Sequence, residues 1–244
     1  MYTGGCFSKH TCIFDEFHKF GISTLGAPSF LTKFIVFDLE ALLIPTDIRV
    51  GEKTCYYQEH RLLSFALCHN VGEGETLFRR LKVNSEIGVQ NLVTEFVLIC
   101  NEISDLNYEL MKEQYNVQLL ELNKKIKDLK KSGEKFGKGH PLFTFKKRFH
   151  NFLRKIPVIS FNGGKYDIFL MKRHLFSFLL LSESKPPQVL MRGNKYLCIE
   201  TERLKFLDAI NYFQGNLESF IEKYSQSDEK KYCFLYHYIK SLDT

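Results

Sequence analysis

The chain has 244 residues, a net charge of +6 and an apolar content of 44%, with 23 phenylalanines. This length suits one sizeable α/β domain with an insertion or two small domains, and the apolar content excludes global disorder. The mild basicity is compatible with a polyanionic partner without establishing one. We find neither a signal peptide nor an apolar run long enough to span a membrane, so we expect an intracellular, soluble protein without a membrane partner.

The seven cysteines are scattered along the chain and form no C-x-x-C pair. A zinc site of the usual spacing is therefore not predicted. Cys68, Cys100 and Cys198 lie in apolar runs, which predicts buried and reduced thiols.

The N-terminal third of the chain changes from turn-rich to strand-like sequence. Glycines and a proline in residues 1–33 predict an irregular segment, within which Ile13–Phe20 suits a short helix. Three strands are then predicted, at Phe34–Leu39, Leu62–Cys68 and Thr76–Val83, because apolar and β-branched residues dominate these runs.

A helical period begins at Leu92 and continues into a lysine-rich stretch, which together predict an insertion at about 92–140. The apolar positions recur at alternating spacings of four and three, with a break near Tyr115, so we expect a long helix or a helical hairpin that packs on its own domain. A coiled-coil dimer is the alternative use of this stripe. The lysines favour a solvated helix face over a phosphate-contacting patch, since no aromatic residues are interleaved with them. The stripe consists of Leu92, Phe96, Ile99, Ile103, Leu106 and Leu110, and the lysines are Lys124, Lys125, Lys127, Lys130, Lys131, Lys135 and Lys138.

Helices and strands alternate through the rest of the chain, which predicts an α/β fold with a mixed sheet. The hairpin in this region is expected to turn at Gly193-Asn194. The predicted elements are a helix at Phe143–Arg154, a strand at Pro157–Phe161, a helix at Ile168–Leu181, hairpin strands at Val189–Met191 and Tyr196–Ile199, a strand at Leu204–Asp208 and a helix at Leu217–Tyr224.

Two acidic residues, Asp38 and Glu40, interrupt the end of the first predicted strand. Strand side chains alternate between faces, so both carboxylates project from one side, with Cα atoms roughly 7 Å apart. Like charges at the end of an apolar strand repel each other and lose hydration, which a divalent metal would offset. The alternative is a polar start to the following turn. The metal interpretation predicts phosphodiester chemistry.

A third carboxylate, Asp167, follows the strand at Pro157–Phe161 and the glycine pair Gly163-Gly164. If that strand lies beside the first, three carboxylates converge and can hold two magnesium or manganese ions. The glycine pair would let backbone approach a ligand, while Asn162 and Tyr166 would supply an amide and a ring for a single-stranded end. The alternative for these residues is an ordinary strand-to-helix turn.

These motifs resemble those of family B DNA polymerases, in order. Residues 37–40, F-D-L-E, are similar to the first exonuclease motif D-x-E, and residues 162–167, N-G-G-K-Y-D, to the second motif N-x(2–3)-[FY]-D. Residues 205–212, K-F-L-D-A-I-N-Y, resemble a block that follows the second motif in the protein-primed, viral, organellar and Maverick/Polinton-like subgroup.

The resemblance implies a ribonuclease H-like fold over residues 34–244, with a mixed sheet flanked by helices. It also implies that the chain is the 3′→5′ proofreading exonuclease portion of a DNA-directed DNA polymerase. Such a polymerase would be a nucleotidyltransferase that replicates DNA, and it would derive from a transposon-type element. The implied cofactors are two Mg²⁺ or Mn²⁺ ions, and the implied partners are the 3′ end of single-stranded DNA and a terminal priming protein.

The motif match also assigns roles to individual residues. Ala209 departs from the family pattern because relatives carry a hydroxyl there. Tyr238 and Asp243 do not reproduce the third exonuclease motif, Y-x-x-x-D, so the chain is expected to stop before it and to have weak or no nuclease activity alone. The assigned residues are Asp38, Glu40 and Asp167 for metal binding and catalysis, Asn162, Tyr166 and Ile210 for single-stranded DNA binding, and Lys231 for catalytic support.

Two other readings stay open at this point. The first is a non-catalytic DNA-binding or interaction remnant of a transposon-derived polymerase. The second is a free-standing exonuclease of the same fold, which would need a fourth acidic ligand, with Asp208 as the candidate.

Overall fold

The computed structural model describes residues 12–27, 32–51, 54–133, 137–213 and 215–224. Within these ranges, seven strands form one mixed sheet, accompanied by six α-helices and a short 3₁₀ turn. The strands are β1 (Ile35–Val50), β2 (Thr54–His69), β3 (Glu75–Arg80), β4 (Ile156–Ser160), β5 (Gln188–Arg192), β6 (Lys195–Glu200) and β7 (Leu204–Asp208). The helices are α1 (Ile13–Lys19), α2 (Glu86–Gln114), α3 (Asn116–Lys131), α4 (Pro141–Arg154), α5 (Asp167–Ser182) and α6 (Leu217–Tyr224), with the 3₁₀ turn at Ala209–Asn211.

The strand order across the sheet is β3-β2-β1-β4-β7-β6-β5. β1, β4 and β7 run parallel to one another, while the β1–β2–β3 and β5–β6–β7 pairings are antiparallel. The predicted α/β class, a mixed sheet flanked by helices, is confirmed, and the arrangement is compatible with a ribonuclease H-like fold. Parallel strands require crossover connections, which the helical segments between β1, β4 and β7 supply.

Aromatic side chains form the core beneath one face of the sheet. Phe37 of β1 and Phe65 of β2 pack against Phe96 of α2, with ring centroids 5.1 and 5.3 Å away. Phe206 of β7 completes the group at 6.4 Å from Phe37. All four rings are at most 3% exposed, so this cluster fixes which face of β1 points inward.

The hairpin of β1 and β2 is much longer than predicted. The two strands stay paired from Ile35↔His69 to Val50↔Thr54, with register shifts after Glu40 and after Pro45. The outer part of this arm is largely exposed on both faces, so its sequence carries no alternation of buried and exposed positions. Pro45 also lacks a backbone N–H donor, so the sequence favours the end of the strand there. In the structure the strand continues past Pro45.

The described residues divide into two units, a sheet unit and a helical unit. The sheet unit contains the described residues of Lys33–Ser104 and those from Ile156 onward. The helical unit contains the described residues up to Thr32 together with Asp105–Lys155. The second of these segments starts later and ends later than the predicted insertion at 92–140. The unit also includes α1, which confirms the short helix predicted at Ile13–Phe20. Its core contains Phe17, Tyr115, Leu122, Phe145 and Phe149, each fully buried or nearly so.

The predicted helical break lies at Tyr115, between α2 and α3. The predicted stripe is buried at Leu92, Phe96 and Ile103, but Leu106 is 48% exposed. Beyond Ile103 the buried positions move to Asn107 and Met111, because this half of α2 belongs to the helical unit. No helix among the described residues is both long and apolar enough to cross a membrane.

The predicted burial of three cysteines holds fully for one of them. Cys100 of α2 is completely buried, and Cys198 of β6 is partly buried. Cys68 is exposed, contrary to the prediction, because it pairs with Val36 on the face of the sheet opposite the phenylalanine core.

Candidate functional site

Asp38 and Glu40 lie on the face of β1 that points away from the phenylalanine core. The alternate residues Phe37 and Leu39 are buried, while Asp38 is exposed and Glu40 partly exposed, as strand alternation requires. Glu40 is opposite Ser64, but the next residue, Ala41, is opposite Leu62, so a β-bulge directly follows the second carboxylate. Bulges of this kind twist a strand and redirect the side chains beside them.

Asp167 reaches the same region through the turn that follows β4. Because β4 is the parallel neighbour of β1, its end lies next to the end of the strand segment that bears Asp38. Asn162 begins the turn in the left-handed region, at φ 64°, and Asp167 begins α5. The Asp167 side chain is 3% exposed, whereas Asn162 and Tyr166 are exposed.

The carboxyl group of Asp167 is buried and experiences the charges of three other acidic residues. Burial, followed by the charges of Asp38, Asp208 and Glu40, raises the pKa of Asp167 to about 8. The pKa of Tyr166 is also raised, chiefly by burial and then by Asp167, Glu40 and Asp38. Asp38, Glu40, Asp208 and Asp167 therefore lie in one region of the sheet unit, where their charges act on one another.

The carboxylate of Asp208 holds the turn in place. Its Oδ1 accepts a hydrogen bond from the backbone N–H of Asn162 at 2.8 Å, and its Oδ2 accepts one from Gly164 at 3.2 Å. Oδ1 also accepts the N–H of Ile210 at 3.2 Å, at the start of the 3₁₀ turn. Asp208 is 2% exposed, so the geometry makes it a structural clamp on this turn.

Lys195 supplies the positive charge that compensates Asp208. Its Nζ lies 3.0 Å from Asp208 Oδ2, and its side chain is only 15% exposed. Sequence reasoning treated Lys195 only as part of a hairpin turn. The hairpin itself was predicted correctly, including the tight turn at Gly193 (φ 59°), but the contact of Lys195 with β7 depends on how β6 pairs with that strand.

The glycine pair is required by packing within the protein. A Cβ on Gly163 would lie 1.8 Å from Ser160 Oγ, and one on Gly164 would lie 2.2 Å from the carbonyl oxygen of Tyr196. Both glycines are buried. The prediction that they leave room for a ligand is therefore wrong, because the space is filled by β4 and β6.

The side chain of Tyr166 is held from β2. His60 Nδ1 and the Tyr166 hydroxyl are 2.9 Å apart, and the two rings meet edge to face at 5.5 Å. Sequence reasoning missed His60, since nothing in its surroundings indicates a partner more than a hundred residues away. Among the other predicted contacts, Ile210 is partly exposed beside the clamp, and Lys231 lies outside the described residues.

The side chains of Asp38, Glu40 and Asp167 offer the hard oxygen donors that Mg²⁺ and Mn²⁺ prefer. A bound cation would also relieve the repulsion that, after burial, contributes to the raised pKa of Asp167. In the described part of the chain, no group of three or more histidine, cysteine, aspartate or glutamate side chains is already arranged to hold a metal ion. The oxygen donors thus fit a divalent cation by their chemistry, but the described carboxylates are not already arranged in the geometry of a metal site.

Comparison with known proteins identifies no family for this chain. A scan against models of protein families gives no match, and a search of curated proteins gives none either. The function is therefore inferred from the side chains and backbone contacts described above.

Proposed function

We propose that this chain is the 3′→5′ exonuclease portion of a DNA-directed DNA polymerase and hydrolyses the terminal phosphodiester of single-stranded DNA. The observation that supports this most strongly is the placement of Asp167, which follows the end of β4, beside the segment of the parallel strand β1 that bears Asp38 and Glu40.

In this proposal Asp38, Glu40 and Asp167 hold two Mg²⁺ or Mn²⁺ ions. When bound, such ions activate a water molecule and stabilise the leaving oxygen. Asp167 must lose its proton to act as a ligand. Burial makes the ionised carboxylate unfavourable on its own, so a bound cation is needed to stabilise it. The Asp208 clamp keeps the turn fixed during this change, because its hydrogen bonds go to backbone rather than to the three carboxylates.

The substrate contacts in the proposal come from the turn and the residues after β7. Asn162 and Tyr166 are exposed beside the carboxylates and would hold the last nucleotide through an amide and a ring face. Ile210 would contact the next base. Ala209 has no hydroxyl for a strand contact. The priming protein and DNA synthesis by the parent enzyme are expectations from the resemblance alone.

A thermal melt with Mn²⁺ tests the metal site without requiring activity. A cation that binds only the folded state stabilises it in proportion to the logarithm of its concentration. We expect the melting temperature of the wild-type chain to rise with Mn²⁺ and that of Asp38→Asn to rise much less. Glu73→Gln removes an exposed carboxylate elsewhere and should behave as the wild type.

A nuclease assay tests the reaction itself. Because the third exonuclease motif is not found, we expect at most slow Mn²⁺-dependent release of mononucleotides from the 3′ end of labelled single-stranded DNA, and we expect Asp38→Ala and Asp167→Ala to abolish it. If neither substitution changes the rate, the assignment of the site is wrong. If Mn²⁺ neither stabilises the chain nor supports cleavage while DNA still binds, the chain is a non-catalytic DNA-binding remnant.

A further inference from the structure

An open groove in the sheet unit runs along α5 from Tyr166. Its floor is apolar and includes Leu62 and Val89, both buried, and the partly buried Phe169. Its walls come from β2, from α5 and from the first turn of α2. The groove therefore offers apolar surface for bases between polar walls.

Basic side chains outnumber acidic ones along these walls. Arg61, Lys172 and Arg173 line the groove together with two histidines, opposite Glu59 and Glu86. Lys172 Nζ lies 4.6 Å from the centroid of the Phe169 ring, so a cation and an aromatic face are presented side by side. This combination suits phosphates and stacked bases better than an apolar ligand.

The ion pair of Arg173 with Glu86 is exposed and therefore easily exchanged, whereas His174, which also contacts Glu86, is only 11% exposed. Arg173 lies 2.9 Å from Glu86, with side chains 79% and 61% exposed, and His174 lies 3.1 Å from the same carboxylate. Exposed pairs of this kind contribute little stability, so a phosphate can replace Glu86 as the partner of Arg173 at small cost. Glu86 then acts as a weak competitor of an anionic ligand.

Tyr166 connects the groove to the carboxylates. Its ring is 38% exposed, its hydroxyl is held by His60 in the groove wall, and Asp167 follows it in sequence. Seven residues separate Tyr166 from Arg173, which corresponds to roughly 10 Å along the helix axis. A strand that ends at the carboxylates can therefore continue along α5 past Lys172 and Arg173.

We propose that this groove binds the sugar-phosphate backbone of single-stranded DNA, on the 5′ side of the nucleotide held at Asn162 and Tyr166. The proposal rests on the proposed function for the position of the 3′ end, but binding in the groove does not require cleavage. Lys172 and Arg173 contact phosphates, and the edge-to-face pair of His60 and Tyr166 directs the strand towards Asp38.

The sharpest test is a substitution that should improve binding. Glu86→Gln removes the competing carboxylate, so we expect a 5′-labelled oligothymidylate to bind at least about threefold more tightly, measured by fluorescence anisotropy without divalent metal. Glu95→Gln is the matched control, because Glu95 is also on α2 and forms a partly buried ion pair with Arg79 at 2.8 Å, outside the groove. The control should leave the affinity unchanged.

The complementary variant is Lys172→Glu with Arg173→Glu. We expect it to weaken binding by about tenfold or more and to reduce the dependence of affinity on salt. Lys205→Glu, on β7 and outside this groove, should have a smaller effect.

Tighter binding by Glu86→Gln, with an unchanged Glu95→Gln, supports the groove even if no nuclease activity is found. An unchanged affinity in Glu86→Gln overturns the proposal, even if Mn²⁺-dependent cleavage is observed. Equal binding of polyglutamate, with an equal response to Glu86→Gln, also overturns it, because the groove would then attract any polyanion.

Discussion

Lys195 and Asp208 form a nearly buried ion pair, 3.0 Å between Nζ and Oδ2, and the same carboxylate accepts hydrogen bonds from the turn that leads to Asp167. One acidic side chain therefore fixes the turn, while a lysine from the neighbouring strand prevents it from adding an uncompensated charge to the site. The fourth acidic ligand considered for a free-standing exonuclease is thus already engaged in a different role.

This pair predicts strong coupling in a double-mutant cycle. Asp208→Asn leaves the Lys195 ammonium buried without its partner, so we expect the free energy of unfolding to fall by about 3 kcal/mol. Lys195→Met should be costly for the reciprocal reason, and the double variant should cost less than the sum of the two. Denaturant titration measures all four proteins. Additive losses would mean that the two charges do not stabilise each other.

The packing around Gly164 predicts that no larger residue is tolerated at this position. A Cβ there would lie 2.2 Å from the Tyr196 carbonyl oxygen, which belongs to the backbone and cannot rotate away. We expect Gly164→Ala to lower the free energy of unfolding by about 3 kcal/mol or to prevent folding. Gly139→Ala is the matched control because nothing lies within 4 Å of its Cβ position. Comparable stability of the two variants would contradict the described turn.

The buried carboxyl group of Asp167 predicts a stability that falls as the pH rises. Its pKa is about 8 in the folded chain against an ordinary value of 3.8, so the folded state keeps a proton that the unfolded state releases. The contribution is complete below about pH 4 and is lost as the pH rises to about 8.

Asp167→Asn should remove this dependence. Without divalent metal, we expect its stability relative to the wild type to increase by on the order of 5 kcal/mol from pH 4 to pH 8. Urea titrations across this range measure the difference. Parallel pH profiles for the two proteins would show that Asp167 is ionised at neutral pH.

The different burial of Cys68 and Cys100 predicts that they are alkylated at different rates. Cys100 is completely buried, and burial raises the pKa of its thiol well above the usual range, whereas Cys68 is exposed. N-ethylmaleimide at neutral pH should modify Cys68 quickly and Cys100 only after denaturant is added. Peptide mapping by mass spectrometry distinguishes them. Similar rates at both sites would contradict the packing of α2 against the sheet.

Local patterns were sufficient to predict most of the elements around the site. The strands β4 and β7 and helices α5 and α6 were predicted within about two residues, because their apolar periods and turn residues agree. The outer β1–β2 arm was missed because, exposed on both faces, it has no period to detect. Lys195 and His60 were missed because their partners, Asp208 and Tyr166, are determined by strand pairing and helix packing.

The order of side chains on β1 also protects the fold itself. A slip of one residue in the pairing of β1 with β2 would turn Asp38 and Glu40 towards Phe96 and expose Phe37. Burying two carboxylates without partners costs several kcal/mol, so the misaligned sheet is disfavoured during folding. Two of the residues assigned to hydrolysis therefore also select the correct alignment of β1 with β2.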